Sequence, residues 1–274
     1  MKALLANKCY DENERSRPMI ELARKIASAA ALTALAMATP VSADGILEDP
    51  LPRFEDRLCP GVVGLDEEYA ELMVSRFRMN AESFGLRLAS EGECEPNVVI
   101  AFVDDSRAYL EDLLDRRAYL FRDMGEAGRA EMLEEAGASG VWHQVAAHTR
   151  DGLRVGRSDN LVQVPETGMW QAHSRIYRPV RQDITYSLVL LSRENVTGLT
   201  LRQLADYATL RALATEYPDE AGTEQSSMLT LFTSDDRPDE LTAFDRAWLE
   251  RLYEGIPNAL PSSRLRGVEV AEND

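Results

Sequence analysis

The chain has 274 residues, with 30 Lys and Arg against 47 Asp and Glu, a formal net charge of −17, and 45% hydrophobic residues. That composition belongs to a folded globular protein, and its field repels a phosphate backbone, so nucleic acid is excluded as a partner on charge.

Arg24 and Lys25 precede an uncharged, Ala- and Leu-rich run from Ile26 to Ala43, closed by Val41-Ser42-Ala43 ahead of Asp44. A positive stretch, a short apolar stretch and small residues before the cut are the marks of a secretory signal peptide, so residues 1–43 are expected to be removed between Ala43 and Asp44. The run falls short of the ~20 strongly apolar residues that a spanning helix needs, so no transmembrane segment is expected in the mature chain. Met19 is a more conventional start than Met1, and residues 1–18 are expected to be an over-extended start, with translation from either methionine left open. The expected location is the periplasm or the medium.

Removing residues 1–43, with six basic and four acidic side chains, leaves 24 basic and 43 acidic ones and a net charge of −19, with no lysine. A P-loop lysine, a Schiff-base lysine and a Ser-Lys nucleophile pair are thereby excluded. Ser158-Asp159-Asn160 has no S-x-x-K partner and reads as a turn. Cys9 is lost with the leader, leaving Cys59 and Cys94, which are expected to pair in an oxidising compartment.

Residues 44–58 are rich in Pro and acidic groups and read as an extended lead-in to a globular domain over 59–274. Asp66 is placed to cap a helix from Glu67 to Phe84, with Tyr69, Leu72, Met73, Phe77 and Met79 as its apolar stripe and Gly85 as its stop. Asn97 to Val103 reads as a buried strand, followed by helices over Ser106–Phe121 and Glu126–Ala136. Asp104-Asp105 at the strand end suits either a crevice carboxylate or, more simply, a helix cap. Val141–Thr149 and Leu153–Val155 flank Asp151-Gly152, a hairpin-turn dipeptide. Strands follow at Met169–Tyr177 and Ile184–Leu191, broken at Pro179. Thr200 caps a helix to Thr215, an acidic loop spans Glu216–Gln225, and Thr242 with Asp245 opens a helix buried through Phe244, Trp248, Leu249 and Leu252. The order predicts a single α+β domain, a mixed or mostly antiparallel sheet with packed helices.

The stretches Ala172-His173-Ser174-Arg175-Ile176-Tyr177, Gly198 to Ala208 (GLTLRQLADYA) and Leu241 to Arg246 (LTAFDR) resemble a family of uncharacterised secreted proteins of alphaproteobacteria. The element order is also similar to that of zincin-type metalloproteases, in which the helix after the last strand carries H-E-x-x-H. The resemblance implies a zincin-like topology. The corresponding helix here, Leu201 to Arg211, contains neither His nor Glu.

Candidate chemistry is sparse. His143 and His148 are five apart, on opposite faces of a strand, a spacing that does not chelate, and neither a metal nor a cofactor is expected. No catalytic residue stands out, and no G-x-S-x-G elbow is present. Between Glu166 and Asp183 there is no acidic residue, while His173, Arg175, Arg178 and Arg181 fall inside the interval. On a strand His173, Arg175 and Tyr177 share a face, a grouping suited to an anionic ligand or an envelope partner; alternatively these cations neutralise the protein's own carboxylates. Tyr207 and Arg211, at i and i+4, mark a possible cleft edge or an internal pair. The expectation is a non-catalytic binding or envelope-associated module, with a degenerate zincin-like hydrolase of peptides or cell-wall material as the second reading.

Overall fold

The computed structural model describes residues 49–155, 178–218 and 227–264. Its core is a four-stranded sheet of β1 (Pro60–Val63), β2 (Val98–Val103), β3 (Ser139–Thr149) and β4 (Val180–Ser192), in the order β1-β2-β4-β3. The β1–β2 and β2–β4 pairs are parallel and β3–β4 is antiparallel, so the sheet is mixed and the domain is α+β.

The central strands β2 and β4 are apolar on both faces because both faces are covered. Val98, Ile100, Phe102, Val189 and Leu191 face α1 (Glu67–Ser83), α4 (Leu201–Leu213) and α5 (Ala243–Tyr253). Ala101, Leu188 and Leu190 face the other way, toward α2 (Ser106–Arg116) and α3 (Glu126–Glu135). There Phe121 and Tyr186 flank Trp142, with ring centroids 5.0 and 5.8 Å away.

Residues 49–58 are extended, yet they belong to the domain: Leu51, Phe54 and Leu58 are buried in the main core. The buried Arg53 donates to the carbonyls of Leu252, Tyr253 and Gly255 at 3.0–3.3 Å, and Arg264 donates to those of Arg251, Leu252 and Glu254 at 2.7–2.8 Å. Two guanidinium groups thus satisfy the orphan carbonyls at the negative end of α5. Burial, together with the charges of Arg53 and Arg251, lowers Arg264 to about 10.

Several local expectations hold. Cys59 and Cys94 form a disulfide with Cα atoms 6.1 Å apart. Thr200–Gln203 and Thr242–Asp245 are complete capping boxes, and Asp105 caps α2 by accepting from Ala108 N. Gly85 ends α1 at φ +75°, where its N–H reaches the Glu82 carbonyl and that of Leu86 reaches Ala81. Gly152, at φ +86°, makes the turn after β3, and Val155 N donates back to Ala147 O at 2.9 Å.

Others are corrected. Asp66 occupies the N-cap position of α1 but its side chain accepts no capping bond. Of the expected stripe of α1, Met73 and Phe77 are buried, joined by Asn80 and Ala81, while Tyr69, Leu72 and Met79 are exposed, on the sides of the helix that α4 and the sheet leave uncovered. The helix begun at Ser106 stops at Arg116 and gives way to a 3₁₀ turn over Ala118–Phe121. The expected strand Met169–Tyr177 lies outside the described residues.

Candidate functional site

Of the anticipated cationic group, His173, Arg175 and Tyr177 lie outside the described residues. Arg181 is bound by the protein's own carboxylates, 3.0 Å from both oxygens of Asp183 and 3.6 Å from Glu55. His148 Nδ1 stands 3.1 Å from Asp183 Oδ2. Burial raises the carboxyl of Asp183 above its ordinary range, against the pull of Arg181 and His148. The main chain of Arg178 exchanges bonds with Asn258, at 2.9 Å between Arg178 N and Asn258 O. The described part of this group is therefore internal neutralisation and a chain tie.

The anticipated pair on α4 divides. Tyr207 is 4% exposed, bonds to the Ser139 hydroxyl and meets Phe232 edge-on at 4.9 Å, so it is a core residue. Arg211, one turn later, lines a cleft of about 550 Å³. Glu131, Met132 and Glu135 of α3 form one wall of that cleft, Arg211 and Ala214–Tyr217 the other, and β3 from Val141 to Val145 runs along its floor.

The walls stand on opposite faces of the sheet. Trp142 belongs with the core beneath α3, whereas Val141 and Val145 pack with the core beneath α4. A single cleft lined by both sets wraps around the edge of the sheet, and β3 is the outer strand in the order β1-β2-β4-β3. Ser192 N donates to Ala138 O at 3.0 Å, which makes Ala138 and Ser192 a hydrogen-bonded pair. By the two-residue alternation of an antiparallel ladder, Gly140, Trp142 and Gln144 bond inward to β4, and Val141, His143 and Val145 turn their N–H and C=O outward. The same parity puts Ala147 and Thr149 outward, where Val155 and Leu153 bond to them. Among the described residues no hydrogen bond reaches the outward groups of Val141, His143 and Val145.

The polar side chains around this edge hold one another. His143 Nε2 donates to the carbonyls of Arg211 and Ala212 at 3.1 and 3.2 Å, closing the C-terminal turn of α4. Burial, reinforced by the Arg211 charge, pushes His143 down to about 4, so the ring is neutral at pH 7. The Arg211 guanidinium stands 5.7 Å from the centroid of the Tyr217 ring and 3.6 Å from Glu135, bridging from α4 to α3 across the sheet edge. Burial pushes the Tyr217 hydroxyl up to about 12.

Sequence reasoning missed His143, Glu131, Glu135, Trp142 and Tyr217 as a group. They lie in α3, in β3 and in the segment after α4, and the outer position of β3 brings them together. Among the described residues no three His, Cys, Asp or Glu side chains are placed to hold a metal, and no helix is long and apolar enough to cross a membrane. Comparison with family models, with curated proteins and with solved structures finds no match to this chain.

Proposed function

We propose that the protein is an exported, non-catalytic binding module that takes an extended polypeptide segment as an added strand on the outer edge of β3. The observation that carries this reading is the coincidence of the cleft with the outward main-chain groups of Val141, His143 and Val145. An edge strand presents N–H and C=O groups in rows, and a peptide satisfies them with its own backbone while pockets on either side read its alternate side chains. Export is read from the leader-like N-terminus and agrees with the Cys59–Cys94 disulfide, a bond that persists outside the reducing cytosol. An envelope location follows as part of the proposal.

The state of the polar groups favours recognition over hydrolysis. A histidine held near 4 with Nε2–H committed to two carbonyls is a weak base with no free proton to give at neutral pH. The helix after the last strand, where the zincin-like order would put metal ligands, instead buries Gln203, Asp206 and Tyr207.

The test is titration of the full protein with labelled seven-residue peptides, followed by fluorescence anisotropy. An extended Thr- and Val-rich peptide should bind, and methylation of every second backbone nitrogen should abolish binding in one of the two registers only. Equal loss in both registers, or none, contradicts strand addition.

A further inference from the structure

Carboxylates line both walls of the cleft, Glu131 and Glu135 on one and Glu216 on the other, and an ion pair joins the walls. The Arg211 guanidinium, carried by the last turn of α4, stands 3.6 Å from Glu135, the last residue of α3. The two helices lie on opposite faces of the sheet, so the bridge between them passes outside β3. Its place along the strand is set at both ends: Glu135 is four residues before Ser139, where β3 begins, and the Arg211 carbonyl accepts from His143 Nε2 at 3.1 Å. The bridge therefore bars the outer edge between Ser139 and His143, over the outward N–H and C=O of Val141.

A carboxylate at a helix C-terminus opposes the helix dipole, and the last turn of α3 holds no basic residue to offset it, so the position of Glu135 serves the contact with Arg211 rather than its own helix. Glu135 is 62% exposed, and the buried Nε of Arg211 has no hydrogen-bond partner among the described residues, so the guanidinium is held loosely, by Glu135 and the Tyr217 ring. Resting on the strand-addition reading, we propose that the Arg211–Glu135 pair is an autoinhibitory latch, which covers the free edge of β3 and must open before a segment docks there. An ion pair with one partner in solvent favours its closed form about fivefold at most. The latch thus discourages stray pairing at the edge, and a ligand strand that satisfies the outward groups still displaces it.

The probe is the extended Thr- and Val-rich peptide with blocked termini, which carries no charge and so responds to the latch rather than to the field of the cleft. At low ionic strength Glu135→Gln should bind it about three- to fivefold more tightly than the unsubstituted protein. Raising the salt from about 0.02 M to about 0.5 M should close that gap by tightening binding to the unsubstituted protein, because screening loosens an exposed pair. Glu111→Gln, which breaks the exposed Arg107–Glu111 pair on α2, away from the cleft, should behave as the unsubstituted protein does. Glu135 is exposed, so the fold should survive its substitution, as circular dichroism would verify. Equal or weaker binding by Glu135→Gln at low salt, or a gap that high salt leaves intact, overturns the latch and leaves strand addition standing. Failure of the peptide to bind either protein at either salt overturns the strand-addition reading and the latch with it.

Discussion

His143 links the edge strand to the end of α4, and its chemistry is visible in the pH dependence of stability. Its folded value of about 4 lies below the ordinary 6.5, so between those limits the unfolded chain binds the extra proton. The contribution of His143 is therefore complete above pH 6.5 and is lost as pH falls toward 4. It amounts to about 3 kcal/mol at most on the linkage relation. Asp183 works with the opposite sign, because its raised value makes the folded state hold its proton longer. The two are separated by difference: His143→Gln should flatten the fall in denaturation midpoint between pH 6.5 and 4 relative to the unsubstituted protein. An unchanged pH profile would mean that the imidazole titrates normally in the folded state.

At the scale of elements, α4 is the helix around which the larger core is built. Residues Gln203 to Leu210, with Ala212 and Leu213, are all buried. Its polar centre is Asp206, which accepts from Arg76 at 2.6 and 2.7 Å, from Asn80 at 2.7 Å and from Leu241 N at 3.0 Å. This one carboxylate ties α1, α4 and the approach to α5. Asp206→Ala should cost about 3–5 kcal/mol, because it leaves a partly buried guanidinium and a buried amide without their acceptor. Equilibrium denaturation checks it, and a loss below about 1 kcal/mol would place the strength of the α1–α4 contact in its apolar residues alone. The burial of α4 was legible in the sequence, since its Leu and Ala residues occur on more than one side. Asp206 was not: a lone aspartate in a helix reads as solvent-facing until Arg76 and Asn80, 130 and 126 positions away, are brought to it. The caps at Asp105, Thr200 and Thr242 and the hairpin were legible because their chemistry is local. β1 was hidden by its length of four and by a Pro-Gly start that reads as a loop, and the face of α1 was legible only through Met73 and Phe77, since Asn80 is buried by its partners on α4.

For the whole molecule, the sheet order determines what the protein offers to a partner. The central strands are buried by helices on both faces, β1 is short, and among the described residues β3 is the outer strand, joined by Leu153 and Val155 at its end and with a cleft beside Val141 to Val145. None of this is written in the strand sequences themselves. The pattern of β3 announces a half-buried strand, and its outer position depends on β4 pairing with β2 instead. Amide hydrogen exchange, resolved by residue, tests the central claim most directly. In the free protein the outward amides of Val141 and His143 should exchange faster than the inward amides of Gly140 and Trp142, and an extended Thr- and Val-rich peptide should protect them both. Slow exchange of Val141 and His143 before any peptide is added would show that the edge is already paired, and an absence of protection at saturating peptide would show that binding, if present, lies elsewhere.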